Sequence, residues 1–291
     1  MAWTTSDTVM TYRERYRAVD VFAEMMDGWR RHLSGRNASL LAFFTFLSIF
    51  PLMLAAVTIL GYLLEGDPEL RQRIVDSAAS EIPVIGDDFK EVGAIQGSVL
   101  GLAVGLGGAL WSSTKAFVGL QGALDDTWEI PVDDRAGMPA QRGKALLGLA
   151  IISASQIGSL VVASIISEAG LPVIGTIALI AVTVVINILV IASMYRFLTS
   201  YTPTWSDVWL GAIIAGIVFT VLQQFGPRLV KQFAEGPDAF AVINTVIGLI
   251  TWLSLVGITV IMCAELNAAR KRLGDGTHVQ RGAEMNIAIR N

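Results

Sequence analysis

The sequence predicts an all-α polytopic membrane protein with six transmembrane helices, an N-terminal interfacial amphipathic helix and short external helices after the first span. Three observations carry this. Of 291 residues, 53% are hydrophobic and only 16% charged, against about a quarter charged in soluble domains. The apolar residues gather into blocks close to the ~20 residues that a helix needs to cross a ~30 Å hydrocarbon core. No run alternates polar with apolar residues as a barrel strand would. Each block must therefore satisfy its own backbone hydrogen bonds, and only a helix does that.

Residues 1–36 read as a polar, arginine-rich cytoplasmic segment. No cleavable signal peptide is expected, since the first apolar block is long enough to stay in the membrane. Within the segment, Ala18, Val19, Phe22, Met25, Met26, Trp29 and Leu33 keep i, i+3, i+4 spacing over 18–33, the pattern of an amphipathic helix. Arg30 and Arg31 follow at its end. Two placements are open: in the membrane interface with its arginines at the headgroups, or folded under the bundle as a partner helix.

A transmembrane domain is expected over 37–272, with spans at 38–64, 96–123, 145–168, 172–198, 207–232 and 240–268. The first carries Pro51, which removes a backbone bond and kinks a helix. The second is glycine-rich at first, then carries Lys115, Gln121, Asp125 and Asp126. The fifth is expected to break near its end at Gly226-Pro227. Between the first two spans, 68–92 mixes apolar residues with acids, and Ile82-Pro83 divides it; it reads as an external cap of short helices. Residues 125–143 read as a polar loop, and 273–291 as a cytoplasmic tail without fixed structure.

Lysines and arginines near span ends set the orientation. Six arginines precede the first span, from Arg13 to Arg36. Arg135, Arg142, Lys144, Arg196 and a C-terminal group beginning Arg270, Lys271, Arg272 fall on the same side, whereas Arg71, Arg73, Lys90, Arg228 and Lys231 fall on the other. Both termini are therefore expected in the cytoplasm.

A net charge of −4 argues against a nucleic-acid partner. The single cysteine, Cys263, allows no intrachain disulfide and lies in an apolar run suited to packing. His32 and His278 lie far apart in polar flanks, giving a zinc site little support. There is no P-loop, Gly-x-Ser-x-Gly elbow or His-Glu-x-x-His, so neither an enzyme nor a cofactor is expected.

The functional candidates are polar groups at membrane depth, where they are costly. Lys115 leads. On a helix it shares a face with Trp111, Ser112, Gly119, Gly122 and Asp126, a small-residue stripe suited to close helix approach or a wet cavity. Such a cation could bind an anionic headgroup, balance a proton carrier, or pair structurally with Glu265 or Asp126. Glu265, at the end of the sixth span, reads either as an interfacial carboxylate held by Arg270 or Lys271 or as an inward proton or cation ligand. Asn37 and Ser48 lie along the first span with Pro51, and discontinuous helices often border transport sites. Gln156 and Asn187 read first as interhelical hydrogen bonds, and Gly211/Ala215 as close packing.

Four segments in order give the chain its resemblance to the YihY/BrkB family of bacterial inner-membrane proteins, YhjD-like members included. They are ASLLAFFTFLSIFPLMLAAV, LWSSTKAFVGLQGALDDTW, YRFLTSYTPTWSDVWLGAIIAG and LITWLSLVGITVIMCAELNAA, and the likeness runs from about residue 20 to 272. Asp125 stands where the family usually has asparagine, and Thr199 where it has proline. The resemblance implies a six-helix inner-membrane protein whose relatives are associated with envelope lipid export or with cation/proton exchange. The leading expectation is a transporter or flippase-like protein moving an anionic lipid or amphiphile, contacted by Lys115. The alternatives are an antiporter using Glu265 with Asp125 or Asp126, and a non-transporting envelope-assembly scaffold. Membrane lipids are the expected partners, and glycine-lined faces are compatible with a homodimer.

Overall fold

In a computed structural model of the chain, the described residues are 4, 6–63, 99–168, 172–234 and 241–275. Among them the regular elements are helical: α1 (Asp7–Arg15), α2 (Arg17–Arg31), α3 (Ser34–Leu63), α4 (Val99–Thr127), α5 (Met138–Glu168), α6 (Pro172–Phe197), α7 (Trp205–Ala234) and α8 (Ala241–Gly274), with a 3-10 turn at Val132–Asp134. The long helices α3 to α8 overlap the six stretches read as spans. By length and composition, three stretches among the described residues could cross a membrane: Ile177–Phe197, Trp205–Gly226 and Ile243–Gly274. The expected external helices at 68–92 and most of the expected tail lie outside the described residues.

Two features depart from the sequence reading. The first is α1, a short helix without strong apolar periodicity. It is held by Arg13, whose guanidinium meets Asp20 at 2.8 Å and Asp27 at 3.4 Å. The second is α7, which runs through Gly226-Pro227 to Ala234 without interruption. Trp252 packs beside that turn, its indole N–H donating to the Leu222 carbonyl at 3.1 Å. Gly226 lets the ring in, since a Cβ there would collide with it.

The chain divides into two compact units. One is formed by described residues within 1–38, 120–220 and 258–291, the other by those within 39–119 and 221–257. In the first unit the usual distribution of size is inverted. On α7 the buried face carries Val208, Gly211, Ala212, Ala215 and Gly216, while Ile213, Ile214, Ile217 and Val218 are exposed. A helix in water would bury its large apolar side chains. One in lipid gains nothing by hiding them and instead uses small residues to bring backbones together.

That approach is tight. A Cβ at Gly211 would strike the Cys263 carbonyl of α8, and one at Gly216 would lie 2.5 Å from Ile188 of α6. The buried Asn267 side chain of α8 then grips the α7 backbone at two points, accepting from Gly211 N–H at 2.7 Å and donating to the Val208 carbonyl at 3.0 Å. Asn187 donates to Thr220 at 2.9 Å, the interhelical bond expected of it. Cys263 is buried and free.

Candidate functional site

Glu265 is fully buried in the first unit, and segments far apart in sequence converge on it. One carboxylate oxygen accepts from Ser34 Oγ at 2.8 Å and from Thr127 Oγ1 at 3.4 Å, and it lies 2.8 Å from His32 Nδ1. The other oxygen, Oε2, has no hydrogen-bond partner among the described residues and faces Arg272 Nη2 across 3.8 Å.

Each element brings its share for a local reason. His32 closes α2, and Leu33 after it adopts φ 52°, a left-handed residue that ends one helix and lets Ser34 begin the next. Thr127 ends α4, followed at Glu129 by a second left-handed residue, φ 56°. These two are the non-glycine residues with positive φ among the described residues, and both flank this site. Such a conformation costs roughly 1–2 kcal/mol outside glycine, and strain of this kind gathers at functional sites.

Around Glu265 lies a mixed shell of charge. Arg272 donates to Glu24 at 3.0 Å and to the Thr127 carbonyl at 2.9 Å. Arg31 reaches Glu24 at 3.2 Å and Glu129 at 2.9 Å. Glu24 and Arg272 are nearly buried themselves. Removing one member of such a buried set typically costs about 3–5 kcal/mol, because the charge left behind has no solvent. α2, which covers most of the 18–33 stretch, buries Ala23, Glu24, Met25 and Gly28 against this cluster. The expected holders of Glu265, Arg270 and Lys271, are elsewhere: Arg270 is exposed, and Lys271 lies 3.5 Å from Asp207.

Asp125 occupies a different setting. It is buried and accepts from Thr199 Oγ1 at 3.0 Å, Ser200 N–H at 2.6 Å and Ser200 Oγ at 2.8 Å. Lys144 adds a bond to the Thr199 carbonyl at 2.6 Å. The carboxylate thus fastens the α6–α7 connection to the end of α4. Asp126 pairs with Arg135 at 2.8 Å and accepts from Asn37 at 3.2 Å.

Lys115 belongs to the other unit. Both it and Trp111 are exposed, and its ammonium lies 5.2 Å from the Trp111 ring centre. A Cβ at Gly119 or Gly122 on the same face would meet nothing within 4 Å. Ser48 is buried and donates to the Thr45 carbonyl at 2.7 Å, a local bond of its own helix. The side chains of Ser112, Pro51 and Gln156 lie outside the described residues.

Sequence reasoning missed His32, Ser34, Thr127 and Arg272 as partners of Glu265, and Glu24 as the partner of Arg272. One signal was present: seven residues is nearly two helical turns, so Arg272 shares the face of Glu265 whereas Arg270 and Lys271 do not.

Inverted side-chain sizes, apolar helices of spanning length and a buried charge cluster at one end define a helical membrane protein. The family model described as Virulence factor BrkB matches residues 25–288, and the chain belongs to that family. No curated protein and no solved structure matches it.

Proposed function

We propose that this protein is a six-span transporter or flippase-like protein of the bacterial inner membrane, with both termini in the cytoplasm, that moves an anionic lipid or amphiphile for envelope assembly. The observation that carries the reading is Lys115. It lies twelve residues before the end of α4 at Thr127, which is about 18 Å along a helix rising 1.5 Å per residue. A cation at that depth is costly unless it meets water or an anion or reaches the surface. Lys115 is exposed, is steadied over the Trp111 ring, and has open space beside Gly119 and Gly122. That face has room for a headgroup, and the indole supplies an apolar wall beside it.

No ATP-binding motif occurs in the sequence, so an ion gradient, a partner or the lipid gradient itself would supply the energy. Glu265 suits proton coupling better than Asp125 does. Its Oε2 is buried without a hydrogen bond among the described residues and its Oε1 stands beside a histidine, whereas Asp125 accepts from three donors. The same observation favours cation/proton antiport as a second reading, in which Glu265 is the carrier and Lys115 only packs.

Native mass spectrometry of gently extracted protein separates the two. The flippase reading expects a defined anionic lipid on the wild type and its loss in Lys115→Ala. A wild type that holds no lipid class beyond bulk membrane composition contradicts it, and proton-flux assays on Glu265→Gln then test the antiporter.

A further inference from the structure

Beside the buried cluster, in the same unit, lies an open groove of about 570 Å³ whose walls carry Arg31, Arg36 and Arg135. Two acids, Glu129 and Asp126, share the lining. They are already engaged, Glu129 by Arg31 at 2.9 Å and Asp126 by Arg135 at 2.8 Å. His32 also lines the groove, but its Nδ1 is turned to Glu265. One guanidinium is left over. Arg36 is exposed and makes no ion pair among the described residues. It stands in the first turn of α3, where backbone N–H groups and the helix dipole favour an anion.

The rim has a different chemistry. Leu33 is 52% exposed and Val132 78% exposed; both line the groove. Water is a poor neighbour for two large aliphatic side chains, and Leu33 is held outward by a left-handed backbone that a glycine would adopt more cheaply. An excess guanidinium and exposed aliphatic side chains in one lining match one ligand in both halves.

We propose that this groove binds the phosphodiester headgroup of a singly charged anionic amphiphile, with Arg36 as the anion-binding residue and Leu33 and Val132 against the first part of its chains. Phosphate is the shared chemistry of a lipid headgroup and a free ion. The apolar rim commits the site to the lipid, because free phosphate has no use for it. The groove is a separate site from the Lys115 face and stands whether or not the protein transports anything.

The test titrates full-length protein in neutral detergent with phosphatidylglycerol, phosphatidylcholine or inorganic phosphate, counting bound lipid by native mass spectrometry. Wild type is expected to bind phosphatidylglycerol and not phosphatidylcholine, without competition from phosphate. Arg36→Gln should weaken that binding about tenfold, the loss of one charge-assisted interaction. Arg36→Lys, which keeps the charge without the planar fork, should recover part of it. Val132→Asp places an anion on the rim and should weaken binding while leaving Arg36 in place, covering the case in which Arg36→Gln fails to fold. Lys115→Ala should lose only the lipid of its own face and keep one bound lipid that Arg36→Gln weakens, so failure of the transport reading and failure of this one are told apart by which variant lowers the bound count. Arg36→Gln and Val132→Asp curves that overlay the wild type overturn the proposal. Equal binding of phosphatidylcholine overturns the role of the anion, and displacement by equimolar phosphate overturns the lipid as source.

Discussion

Gly28 of α2 lies against the carboxylate of Glu265: a Cβ at position 28 would stand 2.5 Å from Glu265 Oε2 and 3.0 Å from Arg272 Nη2. The absence of a side chain at one residue is what allows the buried charge at the other. Glu265 cannot simply swing aside, because its second oxygen is held by Ser34 and Thr127. Gly28→Ala should therefore lose about 1–3 kcal/mol, the usual cost of overpacking, read as a lower melting temperature in detergent. In a Glu265→Ala background the same change should cost little, since contacting residues are not additive. Equal costs in both backgrounds would contradict the contact.

The Asp125 clasp makes a prediction that separates structure from ion coupling. Asp125→Ala leaves the Ser200 N–H and two hydroxyls without an acceptor, at about 1–3 kcal/mol for each buried group left unsatisfied. Asp125→Asn keeps Oδ1 as acceptor for the Ser200 N–H and the Thr199 hydroxyl, and the Ser200 hydroxyl can rotate to accept from the new amide. It should melt close to wild type and retain transport. A folded Asp125→Asn protein with no transport would make Asp125 a proton carrier after all.

Two glycines of similar appearance in the sequence should behave oppositely. Gly211→Ala drives a methyl group into the Cys263 carbonyl, with no flexible side chain to give way, and should abolish stable folding. Gly119→Ala meets open space and gains helix propensity, worth up to about 1 kcal/mol. Comparing the two melting temperatures checks both, and a Gly119→Ala variant that fails to fold would place another surface on that face.

Leu33→Gly should raise the melting temperature slightly. Glycine relieves a left-handed conformation costing roughly 1–2 kcal/mol but adds about 0.4–1 kcal/mol of unfolded-state entropy, leaving a gain below 2 kcal/mol. A fall instead would show that the exposed Leu33 side chain contributes packing.

The long helices were legible because spanning lipid imposes a length and a composition on each of them separately. The 207–232 block needs no knowledge of its neighbours to be read as a helix. The Glu265 cluster is different. Its donors come from the end of α2, the start of α3 and the end of α4, and each is a common polar residue in a polar flank. Only their convergence gives them meaning, and convergence is tertiary. Lys115 was legible as a charge in an apolar helix, but its exposure was not: one stripe of small residues suits a packed interface as well as an open face. The break expected at Gly226-Pro227 followed a correct rule about proline, yet α7 continues through the pair to Ala234.

The most direct test of the account is transbilayer movement of a fluorescent phosphatidylglycerol in sealed proteoliposomes, read by dithionite bleaching. With wild-type protein, bleaching should proceed past the outer-leaflet fraction, while Lys115→Ala vesicles should stop where protein-free ones do. Wild-type vesicles that stop there too would contradict transport, and a Lys115→Ala trace overlaying wild type would remove Lys115 from the path.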